Sequence, residues 1–100
     1  MSELILARVI GTVVCTHKDE KLVGAKILVV QPVSFSDQSP DGKPLVAVDS
    51  VGAGEGEIVM VCSGSSARQT ARTQNVPIDA VIMAIVDSVE INGQTTFVKR

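Results

Sequence analysis

The segment from Asp49 to Arg72, DSVGAGEGEIVMVCSGSSARQTAR, constrains the fold most, because a glycine-punctuated loop, a strand-length apolar run and a helix-starting cluster follow one another without a spacer. Gly52, Gly54 and Gly56 alternate with Ala53 and Glu55. That spacing suits a backbone that takes positive φ or passes close to another backbone, and it is not what a strand interior favours. Glu57 to Cys62 then reads as a strand, and Ser63-Gly64-Ser65-Ser66 supplies turn residues and N-caps for a short helix through Ala67, Arg68, Gln69 and Ala71. The loop is held at both ends.

The flanking chain reads as strands and turns. Leu4 to Thr16 is rich in β-branched residues and predicts a long first strand, with Gly11 marking a bend of the kind a barrel corner needs. His17 to Gly24 is a mixed-charge turn, and Ala25 to Val33 is the second strand, with Pro32 at its exit. Ser34 to Pro44 is a surface loop whose Ser39-Pro40-Asp41-Gly42 has good turn chemistry; Phe35 either anchors it or meets a neighbour. Leu45 to Val51 leads into the glycines as the third strand, and Glu57 to Ser63 is the fourth. The apolar run Ile78 to Ile91 suits a buried helix or strand on period alone, and its β-branched residues favour one long strand from Val81 onward. Asn92-Gly93 is a type I′ hairpin signal returning the chain through Gln94 to Val98. The expected fold is therefore mainly all-β, one domain over residues 1–100: a small five- to six-stranded OB-like β-barrel with one short helix.

Composition bears on partners. A chain of 100 residues buries only about two thirds of its unfolded surface when it folds alone. An apolar share of 45% and a mean hydropathy of +0.32 exceed that need, which hints that other copies of the chain cover some of it. A net charge of −2 and a pI near 5.2 lack the basic footprint of a nucleic-acid binder, and Phe35 and Phe97 are the only aromatic residues for stacking. The N-terminal apolar run is interrupted by Arg8 and has neither a basic segment before it nor a small-residue cleavage site after it, so neither a signal peptide nor a membrane span is expected. Cys15 and Cys62 have no CxxC spacing and are expected to be reduced, buried thiols.

Catalytic and cofactor readings fare poorly. The glycine loop lacks the Lys-Ser/Thr of a phosphate loop and the helix of a dinucleotide fingerprint, and Glu55 and Glu57 repel anions. Ser65 and Ser66 lack a nucleophile elbow, and the sole histidine, His17, lies far off in a charged turn without companion ligands. Neither cofactor nor metal is expected. Asp49, Asp79 and Asp87 stand at the edges of apolar runs, as acid–base candidates or as strand ends pairing with Arg68 or Arg72. Arg68 has the planar fork that holds a carboxylate or carbonyl across an interface.

These residues resemble the EutN/CcmL family of bacterial microcompartment shell proteins, the pentameric vertex proteins. The likeness runs from Ala7-Arg8-Val9-Ile10-Gly11-Thr12-Val13-Val14 through Lys26-Ile27-Leu28-Val29-Val30. It is most specific in Asp49-Ser50-Val51-Gly52-Ala53-Gly54 with Gly56-Glu57, in Gly64-Ser65-Ser66-Ala67-Arg68, and in Pro77-Ile78-Asp79-Ala80 leading to Ile85-Val86-Asp87. The resemblance implies a non-enzymatic barrel subunit that assembles as a homopentamer at the fivefold corners of an icosahedral shell in the cytoplasm, beside hexameric facet proteins, without nucleic acid or membrane. On that reading Gly52, Ala53, Gly54, Glu55 and Gly56 lie near the fivefold axis, lining a narrow pore, and Arg68, Asp49 and Asp87 are subunit-interface candidates. The alternatives are an OB-fold nucleic-acid-binding module and a small enzyme using Cys15 or Cys62. The acidic balance predicts no DNA or RNA shift in a gel assay even at low salt; a salt-dependent shift would favour the OB alternative.

Overall fold

The computed structural model describes residues 3–16, 20, 24–64 and 80–100. Seven strands occupy them: β1 (Glu3–Thr12), β2 (Lys26–Pro32), β3 (Leu45–Asp49), β4 (Ile58–Ser63), β5 (Ala80–Ile85), β6 (Ser88–Ile91) and β7 (Gln94–Val98). The first five close into a barrel in the order β1-β2-β3-β5-β4, and β6 and β7 pair separately as a hairpin. All barrel neighbours are antiparallel except β3 and β5, which meet in parallel over two pairs, Val48↔Val81 and Asp49↔Ile82.

Alternation along the strands fills the barrel. Ala7 and Val9 of β1, Leu28 and Val30 of β2, Ala47 of β3, Val59 and Val61 of β4, and Ala80 and Ile82 of β5 make one buried cluster. Successive residues of a strand point to opposite faces, so the small and β-branched members line the inside while their neighbours face out. Two irregularities bend the wall. The β1–β2 register slips between Val9 and Gly11, leaving Ile10 as the extra residue, and the β4–β5 register slips opposite Met83. Such bulges sharpen local twist and help a short sheet close on itself. The bend expected at Gly11 is thus present, as a bulge one residue before it.

The expected single strand from Val81 to Ile91 is instead two. After Ile85 the chain makes a last barrel contact, the Val86 N–H donating to the Ile58 carbonyl at 2.8 Å, and then turns outward at Asp87. The polar pair Asp87-Ser88 falls at this break, with apolar residues on both sides of it: those before it line the barrel and those after it cover the barrel's outer face. There Val86, Val89 and Phe97 pack on Leu6, Val33 and Ile58, outward-facing residues that are nevertheless buried. The hairpin turn is as expected: Asn92 and Gly93 have φ of 52° and 81°, and Ile91 pairs with Gln94 across the two-residue loop.

The serine-rich loop is pinned differently from expectation. Its tight turn lies at 34–38, closed by Ser34 N–H to the Ser39 carbonyl and Gln38 N–H to the Ser34 carbonyl, with the Asp37 carboxylate accepting from the Ser34 hydroxyl at 2.6 Å and the Ser39 N–H at 3.0 Å. Those contacts, the Ser34 hydroxyl foremost, lower the Asp37 pKa to about 2. Further along, Gly42 takes the positive φ expected of it, 116°. The Phe35 ring is half exposed, while its carbonyl accepts from the Thr96 hydroxyl at 2.6 Å, so the loop's backbone, more than its ring, holds the hairpin. Cys62 is buried as expected, but Cys15 is exposed, because β1 ends at Thr12 and leaves it beyond the barrel. The short helix expected at 67–71 lies outside the described residues; no helix among those described is long and apolar enough to cross a membrane. Phe97→Ala is expected to lower the unfolding free energy by about 1 to 3 kcal/mol in a urea titration, whereas Thr95→Ala on the exposed side should change it by less than about 0.5 kcal/mol.

Candidate functional site

The glycine loop, residues 50–57, joins β3 to β4 and is built from its two anchors inward. Asp49, the last residue of β3, is 6% exposed, and its Oδ1 accepts from the N–H groups of Val51 at 3.0 Å and Gly52 at 3.1 Å. A short carboxylate placed before a turn does this well, replacing ladder partners that the chain loses as it leaves the sheet. Lys26 stands opposite Asp49 in the β2–β3 register. Its Nζ lies 3.5 Å from Asp49 Oδ2 and donates to the Ala53 carbonyl at 2.7 Å, so one ammonium ties strand end and loop together.

Ala53 is the pivot. It is fully buried and belongs to the barrel's own apolar cluster, so the loop dips into the end of the barrel and comes out again. Gly52 and Gly56, on either side, have φ of 80° and 90°, the left-handed region that L side chains rarely adopt. Nothing lies within 4 Å of a Cβ built on either, so backbone conformation and not crowding requires glycine there. Gly54 has no such φ, and a Cβ on it would sit 3.4 Å from Glu57 Oε1, the end of a flexible side chain.

The returning half of the loop is tied by Glu57 and β1. Glu57 Oε1 accepts from the Gly54 N–H at 2.6 Å, and the Glu57 N–H donates back to the Gly54 carbonyl at 3.2 Å. The Gly56 N–H donates to the Val9 carbonyl, the Val9 N–H to the Glu57 carbonyl, and Arg8 Nη1 to the Gly56 carbonyl. Glu57 Oε2 is 2.8 Å from Lys99 Nζ. That ammonium, with the Gly54 N–H second, holds the Glu57 carboxyl below the usual carboxylate range, and Glu57 in turn raises the Lys99 pKa. Glu55 stays exposed at the tip, beside an open hollow of about 480 Å³ that runs between the loop and Lys99 and Arg100.

Of the expected interface residues, Asp49 is spent inside its own chain, and Asp87 is exposed at the β5–β6 joint, where its carbonyl accepts from the Lys99 N–H at 2.7 Å. The two share no hydrogen bond or ion pair among the described contacts. Arg68 lies outside the described residues. Sequence reasoning missed Lys26 and Lys99, whose partners are 23 and 42 positions away, and read Glu57 only as a charge that repels anions. The one local signal was the three-residue spacing of Gly54 and Glu57, which suits a side chain reaching back to a loop amide. No group of three or more metal-ligating side chains occurs among the described residues. The arrangement shapes a loop and presents it: Asp49, Lys26 and Glu57 are engaged with the loop's own backbone, and Glu55 faces outward at its tip.

The family model described as ethanolamine utilisation protein EutN/carboxysome matches residues 4–87. The bacterial microcompartment shell vertex protein GrpN of Rhodospirillum rubrum is 52% identical over 87 residues, covering 87% of this chain and 97% of that protein. The shell vertex protein EutN of Salmonella typhimurium is 42% identical over 98 residues, covering 98% of each. Among solved structures, CcmL of Gloeobacter violaceus is similar with a TM-score of 0.89 at 38% identity, over 95% of this chain and 97% of that one. The GrpN pentameric microcompartment shell protein from Rhodospirillum rubrum has a TM-score of 0.74 at 50% identity, over 87% and 96%. With a barrel closed by an alanine-centred glycine loop and a match of this extent, the chain belongs to the EutN/CcmL family.

Proposed function

We propose that this chain is a structural subunit of a bacterial microcompartment shell, not an enzyme, and that it assembles as a homopentamer closing the fivefold vertices of an icosahedral shell. The observation that carries this reading is the match of nearly the whole chain to shell vertex proteins, one of them described as pentameric. The surface supports it. Leu4 is 61% exposed, Val46 53% and Val98 56%, apolar area that a closed ring with two different contact patches per subunit covers. The whole chain acts as one vertex domain, in a shell lying in the cytoplasm, with hexameric facet proteins as its neighbours and no role for nucleic acid or membrane.

Within the ring, Gly52 to Gly56 lie near the fivefold axis, where five copies of the loop converge on a narrow pore. Arg68 and Asp87 contact the neighbouring subunit, and Asp49 serves that surface indirectly by fixing the loop. Gly54 is the position that separates ring from fold, because its backbone accepts a side chain and the nearest group can yield. Gly54→Phe is expected to leave the monomer folded by circular dichroism and to shift sedimentation from pentamer towards smaller species; Gly54→Ala is expected to retain the pentamer. An unchanged pentamer with phenylalanine would contradict the axial placement. Removing the chain from an otherwise complete set of shell proteins is expected to let facets form while shells fail to close, giving elongated or leaky particles in electron micrographs. Normal closed shells in its absence would contradict the vertex role.

A further inference from the structure

The C-terminal hairpin lies beyond residues 4–87, the part matched by the family model, yet it reaches the glycine loop through one side chain. Lys99 follows β7 directly, and its own N–H is held by the Asp87 carbonyl at the hairpin's base, so the position of its ammonium follows the position of the hairpin. That ammonium meets Glu57 Oε2 at 2.8 Å, while the other oxygen of the same carboxylate accepts from the Gly54 N–H at 2.6 Å. A carboxylate is a rigid plane, so fixing one oxygen restricts where the other can point. Gly54 sits between Ala53, anchored in the core, and Glu55, exposed at the tip, which is the part of the loop that can shift without unseating the barrel.

We infer that Glu57 is a two-ended strut that makes the geometry of the glycine loop depend on whether the C-terminal hairpin is seated. Seating the hairpin on Leu6, Val33 and Ile58 brings Lys99 to Glu57, and Glu57 then holds the Gly54 amide. With the hairpin displaced, or with Lys99 drawn to another anion, the carboxylate is free to turn towards water and Gly54 loses its partner. The Lys99 and Glu57 side chains are 42% and 24% exposed, so the ion pair biases the loop and does not hold the fold. For a ring in which this loop lies at the axis, which rests on the reading under Proposed function, the hairpin becomes a means of tuning the axial opening from the subunit's outer face.

Hydrogen exchange at the Gly54 amide tests the strut, with the Val61 amide as a reference for global opening. Glu57→Ala is expected to speed Gly54 exchange by about tenfold, the loss of a charge-assisted hydrogen bond. Lys99→Met is expected to speed it by about two- to fivefold, the range for a half-exposed ion pair, with Val61 unchanged. In the Glu57→Ala background, adding Lys99→Met should produce no further change, because the connection is already cut. Wild-type exchange at Gly54 in Lys99→Met would overturn the inference. So would an equal acceleration in the Glu57→Ala background, or one shared by Val61. These readings are local to one subunit, so a chain that fails to form pentamers would count against the proposed assembly and leave the strut standing or falling on exchange alone.

Discussion

The burial of Ala53 in the end of the barrel is the constraint on which the rest depends. A loop that sends one methyl group into an apolar core must bring its backbone with it, and each peptide N–H and C=O near the core needs a partner. The polar side chains around the loop answer that need one by one. Asp49 takes the amides of Val51 and Gly52, Lys26 takes the carbonyl of Ala53, Glu57 takes the amide of Gly54, and Arg8 takes the carbonyl of Gly56. No buried side-chain nitrogen or oxygen among the described residues is left without a partner. Gly52 and Gly56 give the two reversals of direction that let the chain enter and leave.

This arrangement accounts for where the charged side chains around the loop are spent. Glu57, which accepts from the Gly54 amide and meets the Lys99 ammonium, is held below the usual carboxylate range and has little capacity to shuttle a proton, and the Asp49 Oδ1 is occupied by the two backbone N–H groups of Val51 and Gly52. The same side chains that make the loop look like a ligand cradle are consumed in giving it a shape. What is left outward is Glu55, Val51 and backbone.

Much of the barrel is legible in the residues. The β-branched runs of β1, β2 and β4 and the Asn92-Gly93 turn each specify their local structure, because side-chain alternation and positive φ are properties of neighbouring positions. The break at Val86 and Asp87 is marked only by the polar pair Asp87-Ser88, which the β-branched residues on either side outweigh, since apolar residues serve equally inside the barrel and beneath the hairpin. Cys15 looks like core from its apolar neighbours and is exposed because the bulged β1 stops three residues earlier. The polar frame of the loop is legible only in part. Asp49 before a glycine loop is a local turn signal, whereas Lys26 reaches Ala53 and Lys99 reaches Glu57 only once β2–β3 pairing and hairpin docking have brought distant segments together.

On the proposed function, the buried alanine, its polar frame and the exposed apolar residues of the strands together make a subunit for a closed ring of five. Native mass spectrometry of the purified chain measures this most directly. A dominant species of five times the 10.5 kDa subunit mass that persists on dilution is expected. A stable monomer, or a ring of another number as the sole species, would contradict it.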